Sequence, residues 1–269
     1  MRKLFNTTLA ILAAGLMLGA CEKNTFPEVA EHFSTDSGAN VKFFFHVDGA
    51  PRSNFYLDNM KVTGVSPTAE GLVLGNTYGS VYPSNAYAVV PSGDFTLSAI
   101  DTASANGTAE VLTTTEVSLE KGKNYSAYLV GTTDNYEAFV IEDKLPPADN
   151  VSIYWRFVNT MANMPFEVDV YAIRAAEPAT ETTPERPAEV ISLGSDIGFK
   201  EHGEYVRLDP GSYTYKVFAA NTEYDPLTST PYLQNKVTLA SLGRVYTTQI
   251  RGNYAAKPKS SQIDYWRDR

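Results

Sequence analysis

The spacing closest to a catalytic pattern is a serine three residues before a lysine, formed by Ser118 and Lys121. Serine acyl-transfer enzymes combine this spacing with further lysine and serine motifs, and they place the serine at the start of a helix. Here the serine lies on a predicted strand that runs into a turn, and the matching place later in the chain reads Thr238-Leu239-Ala240-Ser241. We therefore predict that the protein is not an enzyme and has no catalytic residues.

The histidines are too scattered to form a metal site. His32, His46 and His202 lie in unrelated sequence contexts, and the chain has a single cysteine, Cys21. A transition-metal site needs several ligands that converge on one point. We predict no bound metal and no cofactor, and we expect each histidine to lie at the surface or at a strand edge.

Five aspartates lie near predicted turns, where they could supply oxygen ligands to calcium. Calcium takes about six to eight oxygens, and none of the five segments has the alternating Asp-x-Asp spacing of a calcium loop. Aspartates in turns usually hydrogen-bond to their own backbone, so we favour that role over calcium binding. The five are Asp48, Asp58, Asp94, Asp169 and Asp209.

Aromatic side chains could stack on sugar rings, and the two tryptophans are the first candidates. Trp155 alternates with Ile153 and Phe157, which favours packing in a core over ligand contact. Two candidates for ligand contact stay open. They are Trp266, near the C-terminus, and residues 175–189, a predicted exposed loop rich in Pro, Thr and Glu.

Cys21 is the residue with the clearest predicted modification. Residues 1–3 bring positive charge, and residues 9–20 form an uncharged apolar run. A membrane-spanning helix needs about 20 apolar residues, so this shorter run predicts an export signal that is removed. The run ends in Leu18-Gly19-Ala20-Cys21, which resembles the lipobox of bacterial lipoproteins. The resemblance implies that Cys21 carries lipid and anchors the protein in the bacterial cell envelope, where we expect the outer membrane.

The charge of the processed chain limits its partners. Loss of Arg2 and Lys3 with the signal leaves 20 of the 22 basic residues against 31 acidic ones, a net charge of −11. Nucleic-acid binding needs a basic footprint, so we predict no nucleic-acid partner. Acidic character also opposes adhesion to anionic lipid, which leaves the lipid anchor as the predicted contact with the membrane.

Strand signals dominate the rest of the chain. From Val41 to Asp48 the odd positions are apolar and the even ones mostly polar, which is the period-two alternation of a strand. The same alternation returns in many short segments that are separated by Gly, Pro, Asn and Asp. Many short strands with frequent turns predict an all-β fold built from antiparallel β-sandwiches.

The strand pattern restarts after residues 146–147, and the restart is an internal repeat. The offset between matched residues grows slightly and in one direction, as a tandem duplication with small loop insertions would give. Gly122 and Gly243 sit at matching places between two strands, where we expect them to close hairpins. The matched pairs are Pro51 with Pro165, Gly93 with Gly211 and Tyr125 with Tyr246, at offsets of 114, 118 and 121 residues.

These observations predict five segments along the chain. They are a signal peptide (1–20), a lipidated tether (21–38), a first sandwich domain (39–145), a Pro-rich linker (146–150) and a second sandwich domain (151–269).

The second copy carries a family resemblance. Arg156-Phe157-Val158-Asn159, with Pro165 and Val168-Asp169-Val170-Tyr171 after it, resembles the opening strands of a bacterial family, the domain of unknown function numbered 4397. The resemblance extends over both copies and implies two tandem Ig-like β-sandwich domains, an envelope location and no activity. In the first copy Asn54 stands at the place of Asp169, and His46 falls within a residue of Asn159.

The sequence therefore predicts a cell-envelope lipoprotein that serves as a non-catalytic binding or structural module. Its partner would be an envelope glycan or another envelope protein, reached through loops and sheet edges. One alternative is a surface protein that binds glycan. Another is a fimbrial or assembly subunit that pairs by β-strand addition at an exposed edge.

Overall fold

The computed structural model describes residues 37–66, 68–71, 74–102, 109–182, 184–254 and 262–269. These residues form seventeen β-strands and no α-helix, which confirms the predicted all-β fold. Among them there is no helix long and apolar enough to cross a membrane. Cys21, His32 and the predicted signal peptide lie outside the described residues.

The first half of the chain, which we take as residues 37–145, contains two sheets packed face to face. The first inner sheet has the order β4-β1-β8-β9 with β5 beside β1, and the first outer sheet has the order β3-β2-β6-β7. β1 and β8 run parallel, and the other pairs of this half are antiparallel. The strands are β1 (Gly38–Phe45), β2 (Ser53–Leu57), β3 (Met60–Lys61), β4 (Val81–Tyr82), β5 (Ala88–Pro91), β6 (Gly93–Asp101), β7 (Val111–Leu119), β8 (Asn124–Thr132) and β9 (Asn135–Glu142).

The second half, from residue 151 to the C-terminus, has the same arrangement. The second inner sheet has the order β13-β10-β16-β17, and the second outer sheet has the order β12-β11-β14-β15. β10 and β16 run parallel, and the other described pairs of this half are antiparallel. The strands are β10 (Ile153–Ala162), β11 (Val168–Arg174), β12 (Glu189–Ile197), β13 (Val206–Leu208), β14 (Gly211–Ala219), β15 (Leu233–Leu239), β16 (Val245–Asn253) and β17 (Gln262–Arg267).

Strand β1 serves two buried surfaces. Val41, Phe43 and Phe45 are buried in the core between the first inner and outer sheets. Successive side chains point to opposite faces of a strand, so Lys42 and Phe44 lie on the other face, yet they are just as buried. The face of β1 that carries the polar residues is therefore covered by protein. In a strand with alternating apolar and polar residues, that face is usually in contact with water.

The two inner sheets cover each other through the faces that point away from their own cores. An apolar cluster joins Phe44, Tyr128 and Ile141 of the first half to Val158 and Trp266 of the second half. The described residues of the two halves consequently form one compact unit of four stacked sheets.

The Pro-rich segment between the halves is tied down at both ends. Arg269 donates hydrogen bonds to the carbonyl oxygens of Pro146 and Pro147, at 2.7 and 3.2 Å. Asp149 accepts hydrogen bonds from the backbone amides of Val151 and Ser152, at 3.0 and 2.8 Å. The segment therefore lies against the second half and does not act as a free tether.

Gly122 and Gly243 occupy equivalent turns, with φ of 74° and 75°. The prediction that they close hairpins is wrong. Each turn leads from an outer-sheet strand to an inner-sheet strand, from β7 to β8 and from β15 to β16, because consecutive strands here pair with other partners.

We expect Gly243→Ala to destabilise the protein more than Gly122→Ala. Both substitutions force an alanine into the left-handed region, which costs about 1–2 kcal/mol. At Gly243 the added Cβ would also lie 2.7 Å from the carbonyl oxygen of Asp149, whereas at Gly122 it would meet nothing within 4 Å. Denaturant unfolding of the two variants measures the difference, and equal losses would contradict the close approach of the 146–150 segment.

Candidate functional site

Four charged side chains lie between the two inner sheets, and we call them the charge layer: Lys42, Asp143, Arg156 and Asp268. The ammonium of Lys42 lies 3.1 Å from Asp268, and the guanidinium of Arg156 lies 2.6 Å from Asp143. All four side chains are at most 2% exposed. Each ion pair therefore joins one half of the chain to the other, out of contact with water.

Asp143 is the first residue after the last strand of the first half, and it has three donors. Besides Arg156, the hydroxyl of Tyr87 donates to it at 2.8 Å and the hydroxyl of Ser126 at 2.7 Å. The Tyr87 ring also carries the ammonium of Lys42 over its face, 4.7 Å from the centroid, a favourable cation–π geometry.

Asp268 is the first residue after the last strand of the second half, and its surroundings mirror those of Asp143. The hydroxyls of Tyr205 and Thr247 donate to it at 3.0 and 2.5 Å, in addition to Lys42. The guanidinium of Arg156 lies over the Tyr205 ring, again 4.7 Å from the centroid.

The two environments are built from residues at matching places in the repeat. The offsets follow the same rising series as the sequence repeat, and the cation of each half pairs with the acid of the other. The matched residues are Lys42 and Arg156 (offset 114), Tyr87 and Tyr205 (118), Ser126 and Thr247 (121), and Asp143 and Asp268 (125).

His46 extends the same interface, because its partner is the matching residue of the other half. Thr160 donates its hydroxyl hydrogen to the carbonyl oxygen of Ile250 at 2.7 Å, so it accepts a hydrogen bond from Nδ1 of His46, also at 2.7 Å. Nε2 of His46 then accepts from the amide of Gln249 at 3.3 Å. These contacts fit the neutral ring with its hydrogen on Nδ1.

The position of His46 corrects one expectation. It is 1% exposed, so the expectation of a surface or strand-edge histidine is wrong for this residue. Its match in the second half is Thr160, one residue from Asn159 as expected, and the amide of Asn159 donates to the carbonyl oxygen of Ile197 within the second half. His202 is exposed, as expected.

Burial controls the ionisation of the interface groups. Burial raises the pKa of the Asp268 carboxyl, and Lys42 opposes the rise. Burial and the nearby carboxylates of Asp268 and Asp143 raise the pKa of the Tyr87 hydroxyl, and Tyr205 behaves in the same way. Both tyrosines therefore stay protonated as hydrogen-bond donors near neutral pH.

The charge layer has a structural role. Each carboxylate of the charge layer binds one cation, one tyrosine and one aliphatic hydroxyl, so neither is free to act as a base or a nucleophile. A buried charge that keeps its partner and its hydrogen bonds is tolerated, whereas the same charge alone is costly. The site can hold the halves together, because each of its charges is used in pairing one half with the other.

A second polar cluster lies on the outer face of the second outer sheet. The rings of Phe218 and Tyr224 stack with centroids 4.4 Å apart and planes 4° apart. The Tyr224 hydroxyl donates to Asp169 and lies 3.0 Å from the hydroxyl of Tyr171. Tyr171 and Tyr224 are half-buried, so this aromatic cluster presents part of its surface to solvent.

The matching place in the first half is built differently. Asn54 is buried, and its carbonyl oxygen accepts hydrogen bonds from Asn76 and Thr63 at 3.1 and 3.2 Å. Asp169 instead accepts from the backbone amide of Asp196 at 2.9 Å and from Tyr224. Asn54 and Asp169 therefore have different hydrogen-bond partners at matching places.

The other residues singled out in the sequence lie apart from these clusters. Ser118 is exposed on β7. The serine–lysine pattern needs the serine at the start of a helix, and Ser118 lies on a strand instead. Trp155 is buried in the second core, as predicted. Trp266 is half-buried on β17 at the interface of the halves. The segment 175–189 is largely exposed where described and is closed by a bridge between Glu177 and Arg186.

The sequence reasoning missed the charge layer, although a signal for it exists. A basic residue interrupts an apolar strand at Lys42 and again at Arg156, at the offset of the repeat. An acid follows the last strand of each half. Applying the repeat offsets to charged residues would have found the four residues as two matched pairs.

Among the described residues, no group of three or more His, Cys, Asp or Glu side chains is placed to hold a metal ion.

We expect Arg156→Met to destabilise the protein by about 3–5 kcal/mol, because it leaves Asp143 buried without its cation. The double variant Arg156→Met with Asp143→Asn removes both charges, and we expect it to recover most of that loss. Denaturant unfolding measures both. Lys123→Met is the control, because Lys123 forms exposed ion pairs with Glu120 and Glu142 and its loss costs at most about 1 kcal/mol. Additive losses in the double variant would contradict the pairing.

We expect stability to fall as the pH drops below 6.5, in part through His46. Burial, followed by the charge of Arg251, lowers its pKa well below the ordinary 6.5. The unfolded chain therefore takes up a proton that the folded chain does not, which costs up to about 1.4 kcal/mol per pH unit until the folded pKa is reached. Unfolding at several pH values compares the protein with His46→Gln. Parallel pH profiles of the two proteins would count against a buried neutral ring.

A family model matches part of the chain, and several solved structures are similar to it. The search of curated proteins found no match. Among solved structures, the chain is similar to the Bacillus anthracis TIE protein, at 14% identity and a TM-score of 0.22. The alignment covers 80% of this chain and 34% of that one, so this chain spans about a third of that protein.

Two further structures are matched over nearly their whole length. One is CBMbc, of carbohydrate-binding family CBM26, from Eubacterium rectale Amy13K, solved with maltoheptaose. Its identity is 13%, its TM-score 0.23, and the alignment covers 83% of this chain and all of that one. The other is a candidate cell adhesion protein from Bacteroides ovatus ATCC 8483, at 12% identity and a TM-score of 0.26, covering 86% and 98%.

The family match reaches across both halves. It covers the first half from β1 onward and continues through β10 to the middle of β11. Residues 39–171 match the family described as Domain of unknown function (DUF4397).

Proposed function

We propose that this protein is a non-catalytic binding module of the bacterial cell envelope that holds two β-sandwiches as one rigid body. The observation that carries the proposal is the charge layer. Its four buried charges are all used in pairing one half with the other, and none is left to act on a substrate. A rigid pair of sandwiches fixes the distance and the angle between loops and sheet edges, which favours recognition by pre-organisation.

The two sandwiches are, in this proposal, two copies of one unit related to the matched family. Matching residues of the repeat occupy matching positions around Asp143 and Asp268, which supports a duplication. A duplicated unit that pairs through one face keeps its opposite face and its loops available, and each copy can then diverge. Asp169 and Asn54 are an instance of such divergence, because Asp169 accepts a hydrogen bond from Tyr224 and Asn54 accepts from Asn76 and Thr63.

The proposed location rests on the N-terminal sequence. Residues 1–20 have the order of an export signal, and Cys21 stands at the end of a lipobox pattern. Acyl chains on Cys21 would hold the module at the membrane, with the outer membrane as the proposed site. The net charge of −11 after processing suits a domain that stays clear of the anionic lipid surface.

Two classes of partner suit the proposed module. A protein partner would use backbone groups at a sheet edge. A glycan is the second candidate, favoured by the half-buried rings of Tyr171 and Tyr224 beside Asp169 on the second outer sheet, since aromatic faces and polar groups together suit sugar rings.

Replacing Cys21 tests the anchor. We expect Cys21→Ala to move the protein from the membrane fraction to the soluble fraction and to abolish its labelling by a palmitate analogue, since stable anchoring needs the acyl chains. Ser37→Ala is a control that leaves the lipobox intact. Unchanged membrane association of Cys21→Ala would contradict the lipid anchor.

The binding role is tested with the mature chain in its Cys21→Ala form. A glycan array and cross-linking on intact cells, each read by mass spectrometry, should yield at least one saturable partner. The absence of any partner in both, or turnover in a broad hydrolase screen, would overturn the proposal of a non-catalytic binding module.

A further inference from the structure

The edge of β9 leaves backbone groups unpaired. β9 is the last strand of the first inner sheet and pairs with β8 on one side. The amide of Asp143 donates to the carbonyl oxygen of Asn124 at 2.7 Å, and in an antiparallel pair such bonding residues alternate with residues that point away. The outward set is therefore Ala138, Val140 and Glu142, and no described residue forms a backbone hydrogen bond with them on that side.

Charges flank the middle of this edge. Exposed edge strands are commonly blocked by charges, by proline or by a bulge, because a free edge recruits other strands. β9 carries Glu142 and Glu137, which forms an ion pair with Lys200 at 2.6 Å, and between them it presents the apolar run Ala138-Phe139-Val140-Ile141 in unbroken register with β8. The matching strand β17 carries Asp264 at the place of Phe139, so the run is apolar in the first half and interrupted by an acid in the second.

A groove runs along each side of the β9 edge. On the side of the second half, a groove of about 380 Å³ is lined by Phe139 and Ile141 and by the polar side chains of Lys144, Lys200 and His202. Because side chains alternate between the two faces, a strand added to β9 would direct every second side chain into this groove.

The opposite groove has different chemistry. It measures about 440 Å³ and is lined by Val140 of β9 and by Thr115, Val117 and Ser118 of β7, with Tyr125 between them. This wall combines apolar and hydroxyl groups with the carboxylates of Glu116 and Glu142. The two grooves give alternate side chains of an added strand a place on each face of the sheet.

We propose that the β9 edge binds an extended peptide segment of a partner protein by β-strand addition. Alternate residues of the bound segment face Val117 and Val140 on one side and Phe139, Ile141 and Lys144 on the other. A single strand fits better than the edge of a second folded copy, because the edge lies between two walls. This inference deepens the proposed binding function and rests on it by naming the class of partner.

The test uses a phage-displayed library of linear peptides about seven residues long, which matches the length of a typical strand. The library is selected on the mature Cys21→Ala protein. Val140→Pro removes an outward N–H without removing a bond to β8, and Val140→Ile keeps that N–H. We expect the selected peptides to bind about tenfold more weakly to Val140→Pro and equally well to Val140→Ile.

A second measurement tests strand addition even if Val140→Pro does not fold. N-methylation of the bound peptide, one amide at a time, should weaken binding at every second position and leave the others unchanged, as strand pairing requires. A failure to select any peptide, or binding that ignores both Val140→Pro and the methylation pattern, would overturn the inference. A dimer that forms with concentration and is lost in Val140→Pro would also overturn it, with a second copy as the occupant.

Failure here is distinguishable from failure of the proposed function. If no peptide is selected but the glycan array or the cross-linking still yields a saturable partner, the binding module stands and only the peptide edge is removed. Loss of every partner would remove both.

Discussion

Burial of Lys42, Asp143, Arg156 and Asp268 is the constraint on which the rest of the structure depends. A carboxylate or a cation that leaves water must find its opposite charge, and here each finds it only in the other half of the chain. Neither sandwich could turn this face to another neighbour without stranding two charges. The relative placement of the halves follows from that reciprocal pairing.

The charge layer selects one arrangement more than it adds stability. Buried ion pairs often contribute little compared with an apolar core of the same volume, and here the apolar cluster around Phe44, Tyr128 and Val158 supplies the burial. The charges specify how the two halves are aligned, because two apolar faces alone could pack against each other in several registers. The bonds of Arg269 to the linker carbonyls hold the last segment in the same arrangement. A binding module gains from this rigidity, since its surfaces need no ordering when a partner arrives.

The local alternation of apolar and polar residues was enough to predict the strands. The contacts between residues far apart in the sequence could not be predicted from it. Alternation around Val41 and around Trp155 indicated strands and a core, since both depend on neighbours in the chain. The same alternation implied water beside Lys42 and His46, because nothing near them in sequence shows that partners 226 and 114 residues away cover them. The hairpins expected at Gly122 and Gly243 failed for a related reason: a positive φ defines a turn but not the sheet that the next strand joins. The aromatic cluster around Asp169 likewise depends on Tyr224, which is 55 residues away.

Differential scanning calorimetry of the mature chain tests the central claim most directly, since it asks whether the halves unfold as one body. The account predicts a single transition whose calorimetric and van't Hoff enthalpies agree, as for one cooperative unit. Two resolved transitions, or a van't Hoff enthalpy near half the calorimetric value, would contradict it, because the sandwiches would then be independent and the charge layer would not join them.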